Sequence, residues 1–315
     1  MPSYPQHSPN RPILVIGSLN MDLVMRTPRV PQGGETLFGH DFATLPGGKG
    51  ANQALACARL GGHVAMVGRI GDDNFGQVLK SGLARDGVHV SQVTVTGGVT
   101  SGVAMILVED IGQNRILISA GANGQVTAGD IDSVAAQIEQ AAMLVVQLEV
   151  PLPAVLAAIK HAHAAGVPVL LNPAPAATLP DTLWPMVDLL VPNESEATLL
   201  SGVDVKDTAS AAEAAAVLRA RGVGTVLITL GAQGVLICDA QGVRHLPAQK
   251  VKAVDTTAAG DTFVGGLAVG LTEGMSLDDA AALGQAASAI CVTRIGAQPS
   301  IPWRSELTPT ERARS

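Results

Sequence analysis

The sequence contains few aromatic residues and few cysteines. Two Trp, one Tyr and four Phe stand among 315 residues, so the core must be built mainly from Ala, Val, Leu and Ile. That mixture favours a parallel sheet packed under Ala-rich helices. Cys57, Cys238 and Cys291 lie far apart and form no CxxC or Cys/His pattern, which argues against a zinc site and a disulfide framework.

The chain also lacks an excess of positive charge and long apolar runs. Its net charge is −7, so it has no electrostatic footprint for nucleic acid or anionic lipid. No apolar run approaches the roughly 18 residues of a membrane-spanning helix, and the polar residues 1–12 lack the apolar stretch of a signal peptide. We therefore expect a cytoplasmic protein with a flexible tail at 1–12, one folded domain at 13–303 and a C-terminal tail at 304–315.

Short apolar runs alternate with helical stretches along the chain. This alternation is typical of βαβ units and predicts an α/β fold with a doubly wound, mostly parallel sheet flanked by helices. The predicted strands are 13–16, 64–67, 144–146, 167–171, 189–191 and 226–229. The predicted helices are 51–60, 77–85, 154–164, 209–221, 261–273 and 277–294.

Two stretches break this rhythm. Residues 21–45 contain no convincing helix, and their part from 36 to 45 is strand-like. Residues 102–119 indicate two strands, 103–108 and 115–119, joined by a turn-rich linker. We expect these segments to form a small β-sheet beside the main one.

A glycine-rich motif, PGGKGAN at 46–52, precedes the first predicted helix. Glycines let the backbone approach a ligand, and the start of a helix offers free N–H groups. Lys49 and Asn52 add donors suited to hydroxyl groups. Gly rather than Ser or Thr follows Lys49, so the motif is not a Walker A loop. An ordinary strand-to-helix turn is the alternative interpretation.

A second motif, DTTAAGDTF at 255–263, opens a long Gly/Ala-rich helix. Its small residues leave main-chain amides bare at the positive end of the helix dipole, which suits charge developing on a transferred phosphoryl group. Asp261 stands in the first turn, where its carboxylate could accept a proton from an attacking hydroxyl. The alternative is that Asp261 simply favours the helix dipole.

Two weaker signals follow later predicted strands. Asn193 and Glu196 have the spacing of a capping box, and they could also lie near phosphates and hydrated Mg²⁺. Residues 229–234 follow a strand at the edge where doubly wound folds bind ligands, although a plain turn explains them equally well. Glu149, after the strand at 144–146, could by itself be a surface carboxylate.

From about residue 13 to residue 303, the sequence resembles the ribokinase-like (pfkB) carbohydrate kinase family. The resemblance rests on GGKGAN at 47–52 together with residues 255–263. The ribose-phosphorylating branch is favoured by NMD at 20–22, QLE at 147–149, NPAPA at 172–176 and GAQPS at 296–300.

The resemblance implies an ATP-dependent transfer of phosphate to the 5-hydroxyl of D-ribose. Asp261 would be the base, and the anion hole would be formed by Ala258, Ala259 and Gly260. The sugar hydroxyls would be bound by Asn20, Asp22, Gly48, Lys49, Asn52 and Glu149, beside Asp261. ATP would be bound by Asn193, Glu196, Thr229, Leu230, Gly231, Ala232, Gln233, Gly234, Gly260 and Gln285.

The resemblance also implies Mg²⁺ and a monovalent cation activator, usually K⁺. The K⁺ cage would be formed, mostly through main-chain carbonyls, by Asp255, Thr257, Cys291, Arg294, Gly296 and Ser300. The small sheet would be a lid over the sugar, and the lids of two subunits would clasp into a homodimer. Val264, Gln285 and Ile295 depart from residues frequent in the family, which concerns the adenine contacts.

Other functions stay open at this point. A related kinase could act on deoxyribose, fructose, a keto-deoxy sugar acid or a nucleoside, and deoxyribose is hardest to exclude because it lacks just one hydroxyl. A sugar-binding regulator without activity could share the fold. A dinucleotide-dependent oxidoreductase is disfavoured, because GSLN at 17–20 is not GxGxxG.

Overall fold

The computed structural model describes residues 11–307, which contain thirteen strands and nine α-helices. The strands are β1 (Ile13–Ile16), β2 (Asn20–Thr27), β3 (His40–Gly47), β4 (Val64–Gly71), β5 (His89–Thr96), β6 (Gly102–Glu109), β7 (Asn114–Ser119), β8 (Met143–Val146), β9 (Val169–Leu171), β10 (Leu189–Leu190), β11 (Thr225–Thr229), β12 (Val235–Asp239) and β13 (Gly242–Leu246). The helices are α1 (Lys49–Arg59), α2 (Asn74–Arg85), α3 (Ala128–Ser133), α4 (Ala135–Glu139), α5 (Leu152–Ala164), α6 (Glu194–Ser201), α7 (Thr208–Ala220), α8 (Ala259–Thr272) and α9 (Leu277–Cys291).

Nine of the strands form the central sheet, in the order β13-β12-β11-β10-β9-β8-β1-β4-β5. All neighbours are parallel except β11–β12 and β12–β13, which confirms the predicted mostly parallel sheet. Successive residues of β1 enter opposite core layers: Ile13 and Val15 pack with α1 and α8, whereas Leu14 and Ile16 pack with α5. Burial on both faces is why this strand is continuously apolar.

Three central strands were not predicted. Strand β5 lies at one edge of the sheet and buries only Val93 fully, so its apolar signal is weak. The hairpin of β12 and β13 closes the other edge, where Gly234, Gly242 and polar residues interrupt the apolar run. Edge strands bury less side-chain area, and their sequences therefore resemble loops.

The second sheet has the order β3-β2-β6-β7 and contains both predicted segments. It is mixed, because β2 pairs in parallel with β6 while β2–β3 and β6–β7 are antiparallel. The strand expected from residue 36 begins only at His40, and every residue of β7 is exposed.

Helices α1 and α8 lie against each other under the central sheet. A side chain at Gly265 would overlap Ala56, so glycine permits the close approach of the two helices. Their N-termini consequently meet at the carboxyl edge of the sheet, where the side chain of Asn52 bonds to Asp261. The two glycine-rich motifs, far apart in sequence, thus form one site.

The chain ends are packed further than the predicted tails allow. Arg11 donates to the carbonyls of Glu139 and Gln140, and Arg304 pairs with Glu273 at 3.0 Å. Leu307 is fully buried. The predicted boundaries at 12 and 304 therefore fall within packed structure, while the rest of both predicted tails lies outside the described residues. Within residues 11–307, no helix is both long enough and apolar enough to cross a bilayer.

Candidate active site

Asp261 stands in the first turn of α8 and is 7% exposed. Its Oδ2 accepts a hydrogen bond from Asn52 Nδ2 and its Oδ1 accepts one from Gln53 Nε2, both at 2.9 Å. Each carboxylate oxygen keeps a free lone pair after these bonds. The carboxylate is thus held in one orientation and can still accept a proton from a bound hydroxyl.

The turn before Asp261 presents main-chain amides. Ala258 is the N-cap of α8 and adopts a left-handed conformation with φ 60° and ψ 10°, which is unusual for a residue with a side chain. No side chain caps this helix, and the space around a Cβ at Gly260 is open. The first N–H groups of a helix have no intrahelical partner. Here the Ala259 amide donates to the Thr256 carbonyl at 3.2 Å, whereas the Gly260 and Asp261 amides have no main-chain partner within residues 11–307, so this end of α8 can hold an anion.

Glu149 is hydrogen-bonded to two other segments of the chain. Its Oε2 accepts a hydrogen bond from the Ser18 hydroxyl at 2.5 Å and from the Lys49 main-chain amide at 3.1 Å. Gly48, at φ 89°, fits here because a Cβ would lie 2.7 Å from the Asn20 amide nitrogen. Glu149 is therefore a component of the site rather than a free surface carboxylate.

Asn20 is oriented by a buried asparagine, Asn123. The Asn123 Nδ2 donates to Asn20 Oδ1 at 2.7 Å and to the Leu19 carbonyl at 3.0 Å. Its Oδ1 accepts from the Leu19 amide at 2.9 Å. A side chain at Gly102 would overlap both asparagine side chains. Because Asn20 Oδ1 is the atom that accepts the bond from Asn123, the side-chain nitrogen Nδ2 of Asn20 is available as a donor to a ligand.

Carboxylates crowd the site around one ammonium group. Burial, together with the charges of Glu149 and Asp261, raises the pKa of Asp22 from 3.8 to about 7. Burial lowers the pKa of Lys49, but the charges of Asp261, Glu149 and Glu196 outweigh it and leave the pKa raised. Lys49 is therefore a permanent cation, whereas Asp22 exchanges its proton near neutral pH.

The predicted nucleotide residues lie along the neighbouring strand ends. Asn193 caps α6 and forms a reciprocal capping box with Glu196, with both bonds at 2.9 Å. Burial raises the pKa of Glu196, and the charges of Lys49 and Asp261 also act on it, so this side chain lies within electrostatic range of Asp261. Asn193 also bridges to Thr229. Both the capping and the site interpretations of Asn193 are thus compatible with the structure.

The loop after β11 folds back on the β12–β13 hairpin. The Leu230 amide donates to the Gly234 carbonyl at 2.7 Å, across a short 3₁₀ turn of Gly231, Ala232 and Gln233. Gln285, on α9, donates to the Leu246 carbonyl at 3.0 Å, and a Cβ at Gly234 would overlap that same carbonyl. The structure therefore brings Gln285 to the predicted nucleotide loop.

The residues predicted to bind a monovalent cation surround Asp255. Its Oδ1 accepts from the Thr257 amide and its Oδ2 from the Gly296 amide, both at 2.9 Å. Burial would raise the pKa of Asp255, but these bonds outweigh it and lower the pKa. The Cys291 thiol lies 3.0 Å from the Ser300 hydroxyl.

Arg294 belongs to this region through its backbone only. Its amide donates to the Cys291 carbonyl, while its guanidinium pairs with Glu306 at 2.5 Å. Within residues 11–307 no group of three or more His, Cys, Asp or Glu side chains could hold a metal ion. Any cation here would therefore depend on carbonyl and hydroxyl oxygens.

Five buried polar residues that support the site were given no site role from the sequence, although two of them stand in its family motifs. These are Ser18, Gln53, Asn123, Gln147 and Asn172. Gln53 left a signal, because it shares the helix face of Cys57 and Leu60 at i, i+4 and i+7, where an apolar residue is expected. Asn123 left none, because it stands in a short 3₁₀ turn without periodicity.

A family model described as pfkB family carbohydrate kinase matches residues 10–304. The chain belongs to this family. It is 47% identical over 300 residues to a ribokinase of Schizosaccharomyces pombe, covering 92% of this chain and 94% of that one. It is 38% identical over 291 residues to a deoxyribokinase of Salmonella typhi, covering 92% of this chain and 95% of that one.

A solved structure of a family member has the same fold. The structure of Arabidopsis thaliana ribokinase complexed with ribose and ATP superposes with a TM-score of 0.88 at 32% identity, covering 94% of this chain and 97% of that chain. The likeness extends over the central sheet and the small second sheet together. It confirms the predicted ribokinase-like architecture.

We expect Asp22→Asn to stabilise the protein increasingly as the pH rises. The raised pKa of Asp22 means that its contribution is favourable below 3.8 and is lost as the pH rises through about 7. Asn cannot ionise, so the free energy of unfolding of the variant relative to wild type should grow by about 3 kcal/mol between pH 5 and pH 8. Urea unfolding at each pH measures it.

Asp73→Asn is the matched control for this experiment. Although burial acts to raise the pKa of Asp73, its hydrogen bonds at the start of α2 lower it. Asp73 is therefore ionised throughout this range, and its variant should differ from wild type by a constant amount. A pH-independent difference for Asp22→Asn would contradict the burial of a titrating carboxyl at this position.

Proposed function

We propose that the protein is an ATP-dependent ribose kinase that converts D-ribose and ATP into ribose 5-phosphate and ADP. The observation that carries this proposal is the carboxylate of Asp261, held by Asn52 and Gln53 beside the open amide end of α8. A proton acceptor and an anion site in one helix turn suit phosphoryl transfer, which requires positioning and charge stabilisation more than covalent chemistry.

In the proposed reaction, the 5-hydroxyl oxygen of ribose attacks the γ-phosphorus of ATP. Its proton passes to Asp261 as the new P–O bond forms, and the bond from the γ-phosphorus to the β–γ bridging oxygen breaks. The amides of Ala258 and Gly260 stabilise the charge on the transferring group, and the Ala259 amide joins them by exchanging its bond to the Thr256 carbonyl for one to a phosphoryl oxygen. An ordinary carboxylate is a sufficient base, because the hydroxyl loses its proton only as that bond forms.

The proposed sugar site lies between the second sheet and α1. Asn52 Oδ1 is buried and has no hydrogen-bond partner among the described residues, which is costly unless a ligand hydroxyl supplies one. Carboxylates that accept hydrogen bonds from hydroxyls are a suitable complement to a polyhydroxyl furanose. The residues proposed for these contacts are Asn20, Asp22, Gly48, Lys49, Asn52 and Glu149.

ATP would lie along the strand ends from α6 to the β12–β13 hairpin. Its contacts would involve Asn193, Glu196, Gly260, Gln285 and residues 229–234. Mg²⁺ would arrive with the nucleotide, since it keeps waters and binds phosphate oxygens. Glu196 is a carboxylate on this side, and among the described residues only its Oε2 accepts a hydrogen bond. Bound there, Mg²⁺ would neutralise phosphate charge.

We expect ribose to be turned over faster than 2-deoxyribose, fructose or adenosine in an ADP-release assay with MgATP and K⁺. Asp261→Asn should keep ribose affinity and lose about 10²- to 10⁴-fold in kcat, because the proton acceptor is removed. Near-wild-type turnover by this variant would exclude Asp261 as the base. Preference for 2-deoxyribose would agree with the deoxyribokinase relative. The proposed reaction would then stand, and the proposed contacts to the sugar would be wrong.

A monovalent cation is proposed beside the anion hole, in the loops around Asp255. The carbonyl oxygens of Asp255, Arg294 and Gly296 accept no hydrogen bond from the described part of the chain. Such oxygens suit a K⁺ ion, with Thr257, Cys291 and Ser300 completing its surroundings. The cation would order the turn that leads into α8 and so support the amides of the anion hole.

Replacing K⁺ by tetramethylammonium at constant ionic strength should lower kcat roughly five- to 150-fold, the range of a typical coupling between two sites. Mg²⁺ and ATP are held constant so that only the monovalent ion changes. The same ADP-release assay measures the loss, and restoring K⁺ should reverse it. Equal kcat in the two salts would remove the cation from the proposal.

The second sheet is proposed to be a lid that excludes water from the sugar and joins two subunits. Asn20 and Asp22 are buried on β2, at the end nearest the site. On β7, Ile116, Leu117 and Ile118 are 52%, 72% and 56% exposed, so an apolar edge strand faces solvent on both sides. Unprotected edges of this kind are typical of pairing surfaces.

Light scattering should give twice the 32.0 kDa chain mass for the wild type. Leu117→Lys should shift the mass towards the monomer, because a charge cannot be buried unpaired in an apolar interface. Leu199→Lys is the matched control, since Leu199 on α6 is also exposed, at 57%, but lies away from the second sheet. A wild-type monomer at micromolar concentration, or a Leu117→Lys dimer, would contradict the proposed clasp.

A further inference from the structure

Gln53 is fully buried on α1, next to the predicted sugar residue Asn52. Both hydrogens of its amide nitrogen are used: Nε2 donates to Asp261 Oδ1 at 2.9 Å and to Asn172 Oδ1 at 3.0 Å. Its Oε1 accepts from Gln147 Nε2 at 2.6 Å. The amide of Gln53 thus bonds to the proposed base with one hydrogen. Its second hydrogen and its oxygen bond to residues that follow the central strands.

The direction of the Gln53 amide is determined independently of Asp261. Asn172 Nδ2 donates to the main-chain carbonyl of Val191 at 2.8 Å, so Asn172 Oδ1 must be the atom that faces Gln53. An acceptor at that place requires Gln53 Nε2 rather than Oε1. With the amide reversed, the Gln53 oxygen would lie against both Asn172 Oδ1 and the carboxylate of Asp261.

This hydrogen-bonded path begins at the carboxyl ends of three adjacent strands. Gln147 follows β8, Asn172 follows β9 and Val191 follows β10. A parallel sheet places consecutive strand ends side by side, and its strands are the most rigid part of the core. The residues at these strand ends therefore orient the Gln53 amide, and it is Gln53 that donates to Asp261.

We propose that Gln53 is a positioning residue that holds the carboxylate of Asp261 in line with the attacking hydroxyl. Asn52 alone would leave Asp261 free to rotate about its side chain, whereas bonds at both oxygens define one carboxylate plane. A small misplacement of a reacting group costs up to about 100-fold in rate. This inference rests on the proposed function, because it assumes that Asp261 is the base.

The test is a double-mutant cycle with Gln53→Met and Asp261→Asn. Met keeps the length of Gln and suits a helix, but it donates no hydrogen bond. We expect Gln53→Met to lower kcat roughly 10- to 100-fold, while the ribose dissociation constant from calorimetry changes less than about threefold. In the Asp261→Asn background the same substitution should change kcat by less than about threefold, because residues that act as a unit are not additive.

A second pair of variants keeps the result interpretable. Cys57→Ala, one turn further along α1 and equally buried, should lower the melting temperature without changing kcat. Gln147→Met releases Gln53 Oε1 and should lower kcat roughly threefold to tenfold with ribose affinity kept. If Gln53→Met does not fold, the kcat of Gln147→Met tests the inference in its place.

The outcomes separate this inference from the proposed function. Wild-type kcat in Gln53→Met, or in Gln147→Met where it decides, with Asp261→Asn inactive, would overturn the inference and leave the base assignment intact. An equal loss in both backgrounds would also overturn it, because Gln53 would then act through general packing. High turnover by Asp261→Asn would overturn the base assignment and the inference together.

Discussion

The hydrogen bonds that Asp261 accepts from Asn52 and Gln53 are the constraint on which the site depends. They join the first turn of α1 to the first turn of α8, across more than two hundred residues of chain. They form only because glycines let the two helices approach closely. The glycine-rich turn before α1 and the amide end of α8 are consequently held next to each other, as the alignment of two reacting groups requires.

The electrostatic character of the site follows from the same convergence. The charges of Glu149 and Asp261 act on both Asp22 and the ammonium of Lys49, which come from different elements of the chain. Burial beside these negative charges disfavours ionisation of Asp22, which therefore retains its proton towards neutral pH. A carboxyl that can donate as well as accept is well suited to sugar hydroxyls, which do both.

The residues of the site come from two parts of the fold that differ in burial. Asn172 and Gln147 extend from the central sheet, whose strands are buried on both faces. The second sheet contributes Asn20 and Asp22 but exposes the whole of β7. The residues that hold Asp261 thus extend from the part of the fold with the most buried contacts, whereas Asn20 and Asp22 belong to a more exposed sheet.

The sequence by itself determined the parallel α/β architecture, because strands buried on both faces must be continuously apolar and helices must be amphipathic. It also singled out the residues that the structure brings together into one site, since glycine-rich turns, Asp261 and Lys49 have chemistry that a core does not need. Only the tertiary structure decided how those residues are held. Gln53 bonds to Asn172 and Asp261, 119 and 208 residues away, and Asn123 bonds to Leu19, 104 residues away. Asn172 also bonds to the Val191 carbonyl. Amides of this kind look like ordinary polar residues until the strand ends and helix starts that pair with them are brought together.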